Sequence, residues 1–99
     1  MWGLSEKSIE EIRGILASIP AIEEAVIYGS RARGDYKAAS DIDLALAGRD
    51  LTFRDVALLD DRLSSSYQPY FFDTSILAEI TNPDLLENIR RNGQVFYRR

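Results

Sequence analysis

Apolar residues recur at helical spacing near the start of the chain. Ile9, Ile12, Leu16 and Ile19 line one side, and Glu6, Lys7, Glu10, Glu11 and Arg13 the other. That pattern predicts a first helix over Ser5–Ile19, with Ser5 as N-cap, a capping box at Ser8 and Glu11, and Pro20 as its stop. The period then changes. Glu24–Gly29 is short, mostly apolar and ends in glycine, which predicts a strand. Ser30–Gly34 reads as a tight turn or a short helix. Over Asp41–Ala47 the residues alternate, as in a strand. Ile42, Leu44 and Leu46 share one face; Asp41, Asp43, Ala45 and Ala47 share the other.

The second half repeats this alternation of elements. Thr52–Ser66 is expected to be helical, with Thr52 and Asp55 as a capping signal and Val56, Leu59 and Leu63 as the buried stripe. Tyr70–Ser75 is the third expected strand. Asn82 as cap, Pro83 at the first position and Gly93 at the end bracket the last helix, with Leu85, Leu86 and Ile89 inside it. Gln94–Tyr97 reads as a terminal strand. Helices and strands in this order predict an α/β or α+β protein.

Composition narrows the chemistry. The 99 residues suit one domain over 1–99, and 45% apolar with 28% charged residues suits a folded, water-exposed protein. No apolar run approaches the ~20 residues of a membrane helix, and no signal peptide is evident, so a cytoplasmic location without membrane contact is expected. Cysteine and histidine are both absent. That excludes disulfides, thiolate metal sites, imidazole acid–base catalysis and Ser-His-Asp chemistry. Any bound metal must take oxygen ligands. A net charge of −4 argues against non-specific nucleic-acid binding.

The informative segment is Gly29-Ser30-Arg31-Ala32-Arg33-Gly34-Asp35, leading to Ser40-Asp41-Ile42-Asp43-Leu44. A strand that ends in Gly29-Ser30 and opens a helical turn directs free N–H groups outward, as phosphate binding requires. Glycine lets a phosphate approach the backbone; Ser30 adds a hydroxyl donor, and Arg31 and Arg33 add charge. Asp41 and Asp43, two apart on a strand, project from one face. Such a pair suits shared coordination of Mg²⁺, which takes oxygen ligands and also holds substrate phosphates. Asp73, in the third expected strand, would complete the cluster from a neighbouring position. A phosphate turn facing carboxylates is what phosphoryl and nucleotidyl transfer need.

Gly29-Ser30, ten residues, then Asp41-x-Asp43 resembles the signature of the minimal nucleotidyltransferases, small relatives of the DNA polymerase β superfamily. The resemblance spans nearly the whole chain. It implies a polymerase β-like fold, a small mixed sheet with helices packed on it. It implies that Gly29 and Ser30 bind the nucleotide phosphates, that Asp41 and Asp43 hold Mg²⁺, and that Asp73 is the third carboxylate and helps activate the acceptor hydroxyl. The family often follows that acid with apolar residues, whereas Thr74-Ser75 follow here; Glu79 is the nearest substitute. Relatives of this size resemble the antitoxins of two-gene toxin–antitoxin modules. Their partner is a small helical ribonuclease of the HEPN class, and the associated activity moves AMP from ATP onto a tyrosine of that partner.

The competing reading is a module that binds nucleotide without catalysis and neutralises a helical partner by contact. Transfer to a small molecule would need an acceptor pocket, which a homodimer interface could build. Asp60-Asp61 and Arg98-Arg99 read as solvated surface, Arg90-Arg91 as a helix-end charge, and Ser40 as a local backbone hydrogen-bonder. Arg31 and Arg33 could equally be surface residues paired with Asp35. Of Trp2, Tyr67, Tyr70, Phe71, Phe72, Phe96 and Tyr97, most are expected in the core, with a few near the termini as an exposed partner-binding patch.

Overall fold

In the computed structural model, which describes residues 1–99, the elements run in the order α1 (Glu6–Ala17), β1 (Glu24–Tyr28), α2 (Gly29–Arg33), β2 (Ile42–Ala47), α3 (Phe53–Ser64), β3 (Phe72–Ile76), a 3₁₀ turn (Leu77–Glu79), α4 (Pro83–Asn92) and β4 (Gln94–Arg98). Every expected element is present. The ends differ by one to two residues. The first helix ends at Ala17, because Ser18 N already bonds back to Gly14 and Ile15 carbonyls and Ile19 lies beyond the cap. The third strand starts at Phe72 and runs through Ile76.

Local chemistry explains most of the boundaries. Ser5 caps α1 by accepting from Ser8 N at 3.1 Å. The expected box at Ser8 and Glu11 is not formed, because Ser8 is already inside the helix that Ser5 starts. Thr52 and Asp55 make a reciprocal capping box at α3. Asn82 accepts from Asp84 N and Leu85 N, and Pro83 occupies the first helical position, where its missing N–H costs nothing.

The strands form a single mixed sheet in the order β3-β2-β1-β4. β1 pairs antiparallel with both β2 and β4; β2 pairs parallel with β3. The alternation read in β2 decides what each face packs against. Ile42, Leu44 and Leu46 join Ala25 and Ile27 of β1 in the main core under α1 and α3, which supply Ile9, Ile12, Leu16, Val56, Leu59 and Leu63. The other face carries a smaller cluster of Tyr28, Ala45 and Ile89 beneath α4. Two-sided burial explains why β1 and β2 are so apolar. It also fixes register, since a one-residue slip in β2 would carry Asp43 into the main core.

The chain ends are tied down. Trp2 stacks on Phe96 with ring centroids 5.1 Å apart, and both are buried, so the terminal aromatics are core. The exposed aromatics lie elsewhere, chiefly at Tyr67 and Phe71. Arg99 is no free tail either. Its guanidinium donates to the carbonyls of Ala17, Ile19 and Ile22, holding the chain end against the end of α1. No helix is long and apolar enough to cross a membrane.

Candidate active site

Tyr28 is the last residue of β1 and pairs with Asp43 of β2, which in turn pairs with Asp73 of β3. These residues form one row across the sheet, on the face opposite the main core. Asp41 lies two residues before Asp43 on that face. The parallel pairing of β2 with β3, which the sequence did not disclose, is what brings Asp73 beside the Asp41/Asp43 pair. Glu79 lies in the 3₁₀ turn beyond β3, outside this row. Asp41 and Asp73 are exposed and Asp43 is half-buried.

Gly29 joins the turn to the row. Its backbone sits at φ +74°, in the left-handed region, and a Cβ there would overlap Asp43 Oδ2. Only glycine lets the turn come this close to the carboxylate. The turn is α2, which opens on Gly29, Ser30 and Arg31 with no side-chain cap from Tyr28 and closes on Gly34 at φ +95°. Its first N–H groups therefore remain available beside the acids.

The electrostatics follow from this crowding. Burial, then the neighbouring Asp73 and Asp41 carboxylates, push the Asp43 carboxyl up to about 6, with Arg33 as a partial offset. Burial, then Asp73 and Asp43, also raise the Tyr28 phenol, opposed by the polar side chain of Ser75. Arg33 is partly exposed and pairs with Asp35 at 3.4 Å, while its charge reaches Asp43. No three acidic side chains lie close enough to make a ready-built metal cluster. The donor set still fits Mg²⁺, which usually takes one or two carboxylates and fills its remaining positions with water and phosphate oxygens. A half-buried carboxylate crowded by like charge gains by having a cation beside it.

Arg31 corrects an expectation. It is 2% exposed, and its guanidinium is spent on backbone carbonyls inside the protein, so it is not positioned as a nucleotide ligand. Of the two candidate arginines, Arg33 alone faces the acids. Ser40 behaves as expected, its hydroxyl accepting from Lys37 N at 2.8 Å. Asp60 is less idle than read: its Oδ1 accepts from the Thr74 hydroxyl at 2.6 Å, pinning α3 to β3. Thr74 thus has a structural reason for its hydroxyl. Sequence reasoning missed Tyr28. The signal was its place immediately before Gly29-Ser30, where the register sets it against Asp43.

A glycine-led turn in contact with a carboxylate row, on a four-stranded mixed sheet, suits nucleotidyl transfer. The family model for polymerase beta nucleotidyltransferases matches residues 10–99, and the chain belongs to that family. It is a nucleotidyltransferase. The fold is similar to that of a toxin–antitoxin structure solved with AMP-PNP, at 22% identity over 92% of this chain and 73% of that one, TM-score 0.73. A mutant form of the MntA-HpeT toxin–antitoxin gives 20% identity over 97% of this chain and 75% of that one, TM-score 0.68. A Sulfolobus solfataricus protein described as a nucleotidyltransferase gives 23% identity over 93% and 78%, TM-score 0.56. No curated protein is significantly similar in sequence.

Proposed function

We propose that this nucleotidyltransferase moves AMP from ATP onto a tyrosine hydroxyl of a small helical HEPN-type partner, and so acts as the antitoxin of a toxin–antitoxin pair. The observation that carries the catalytic part is the contact between Gly29 and Asp43, which joins a phosphate-binding turn to the carboxylate row at one point. The antitoxin part draws support from the toxin–antitoxin neighbours, one of them holding an ATP analogue.

In this reading Gly29 and Ser30 hold the triphosphate through backbone N–H groups and the Ser30 hydroxyl, and Arg33 adds positive charge. Asp41 and Asp43 would hold Mg²⁺, with Asp73 as the third carboxylate. Bound Mg²⁺ supplies charge neutralisation on the phosphates and lowers the pKa of a hydroxyl beside it. The row orders the reactants: the phosphate turn follows β1, the paired acids lie on β2, and Asp73 stands on the edge strand β3. The acceptor therefore comes in over β3. Asp73 orients its hydroxyl and accepts its proton, the oxygen bonds to the α-phosphorus, and pyrophosphate leaves.

The test is transfer of label from α-³²P-ATP, with Mg²⁺, to the protein encoded beside this one. Label is expected on a tyrosine with the wild type and none with Asp41→Asn or Asp43→Asn. Absence of label, or equal labelling by the variants, would end the catalytic reading. Neutralisation by contact alone has one observation in its favour, the exposure of Tyr67 at 97% and Phe71 at 81%. It would be preferred if an Asp41/Asp43 double variant still protected cells from the partner.

A further inference from the structure

Arg31 is the one charged side chain among the buried residues, at 2% exposure. It forms no ion pair with a carboxylate. Instead its Nε and Nη2 donate to Ser40 O at 3.0 and 2.9 Å, Nη2 also to Ala38 O at 3.2 Å, and Nη1 to Trp2 O at 2.9 Å. The rings of Tyr36 and Tyr70 lie 5.4 and 4.8 Å from the guanidinium carbon. Burying an unpaired cation is costly, and an apolar side chain would fill this volume without that cost. What only arginine supplies is a planar fork of donors with faces that stack on aromatics.

The contacts are not scattered. Arg31 itself follows Ser30 of the phosphate turn. Ser40 immediately precedes Asp41. Tyr70 lies three residues before Asp73. Trp2 belongs to an N-terminal turn held at φ +56°, a left-handed conformation that a tryptophan adopts only when its surroundings enforce it. That turn is fixed in its own right, because Trp2 Nε1 donates to Gln94 Oε1 and Gln94 Nε2 donates to Ala32 O, each at 3.2 Å. The circuit thus returns to α2.

We propose that Arg31 is a positioning residue, whose guanidinium sets the spacing between the phosphate turn, the loop that delivers Asp41, and the segment that leads to Asp73. This rests on the reading of those residues given under Proposed function. A purely stabilising arginine would lower the melting temperature when replaced and leave metal affinity alone.

The test compares full-length wild type, Arg31→Lys and Arg31→Met well below their melting temperatures. Mn²⁺ alone, titrated by electron paramagnetic resonance, probes the acids, with Asp43→Asn as the reference for loss of the site. Amide hydrogen exchange over residues 35–42 in metal-free protein probes the loop. Both variants are expected to weaken Mn²⁺ binding about tenfold, the usual scale for losing a group that supports metal ligands, and to speed exchange. Lysine does not rescue, because it keeps the charge without the fork. Tyr36 is 38% exposed, so Tyr36→Leu leaves the fold intact and is expected to weaken Mn²⁺ binding about two- to threefold by removing one ring. Unchanged affinity and exchange in folded Arg31 variants would overturn the proposal; if those variants do not fold, unchanged values in Tyr36→Leu do so. If wild type and Asp43→Asn bind Mn²⁺ alike, the site reading fails, and exchange alone decides whether Arg31 holds the loop.

Discussion

Asp43 and Asp73 are register partners in the parallel β2–β3 pair, so their side chains leave the same sheet face from strands about 4.8 Å apart. Asp41 stands on that face as well, and Gly29 presses against Asp43 from the start of α2. Three chain segments thus meet around one half-buried carboxylate. Without a cation this concentrates negative charge; with one, it concentrates ligands.

Replacing Asp43 should therefore separate function from stability. Asp43→Asn keeps the shape and removes the charge that Asp41 and Asp73 oppose. Nucleotidyl transfer is expected to fall by about 10³-fold or more, because in the proposed reaction this carboxylate holds the ion that supplies several kcal/mol of charge stabilisation in the transition state. Metal-free protein is expected to gain about 1 kcal/mol in unfolding free energy at neutral pH. Denaturant titration beside an α-³²P-ATP transfer assay reads both, and a loss of stability would contradict the crowding argument.

The raised Asp43 carboxyl also sets a pH dependence. Its value is about 6 in the folded protein against 3.8 for the ordinary group, so the folded state holds this proton more tightly. Between those values the folded protein binds more protons than the unfolded chain, and its contribution to stability falls as pH rises through the window. Above about 6 the loss is complete. At the proposed site Mg²⁺ would compete with the same proton, so half-saturating Mg²⁺ should rise steeply, towards about tenfold per unit, as pH drops below 6. Metal-free melting curves from pH 4 to 7 check the first part, and Asp43→Asn should flatten this step.

Two glycines with positive φ offer a controlled comparison. Gly29→Ala must adopt a left-handed conformation and overlap Asp43 Oδ2, so strain and displacement act together. Gly34→Ala meets the same conformational penalty in open space. Each should lose about 1–2 kcal/mol of stability from the backbone alone. Only Gly29→Ala should also lose transfer, by at least about a hundredfold, as Asp43 is pushed aside. Equal activity in the two variants would show that the close approach of turn and carboxylate is incidental.

These effects divide along the line between what was legible in the sequence and what was not. The Asp41-x-Asp43 alternation, the Thr52/Asp55 box and the Asn82-Pro83 start are local, and local chemistry produced the elements expected of them. Gly29-Ser30 at its spacing from Asp41 marked the turn and the acids correctly as neighbours. Arg31 was misread because its burial depends on the path of the loop over residues 34–41, and on a Trp2 carbonyl arriving from the chain start. Asp73 was expected beside the pair and lies there, but no local pattern fixed it: strand order and parallel pairing are global properties. Which aromatics pack was equally illegible: Trp2 is buried at the chain start while Phe71 is exposed, since a terminus packs or frays according to the edge strand beside it.

Phe71 supplies the last prediction. Ile42 N donates to Phe71 O at 2.9 Å, so the β2–β3 ladder reaches this residue, which is 81% exposed at the start of the edge strand. With Tyr67 nearby in sequence at 97%, it places apolar surface on the edge strand from which the acceptor arrives in the proposed reaction. Little of Phe71 is buried, so Phe71→Ala should change stability by no more than about 0.5 kcal/mol. If the partner docks over β3, the same substitution should raise the KM for the partner protein about tenfold, as loss of a central aromatic contact does, and leave kcat and the KM for ATP unchanged. A rise confined to the KM for ATP would instead place the nucleobase against Phe71. No change in either KM would move the partner to another face of the sheet.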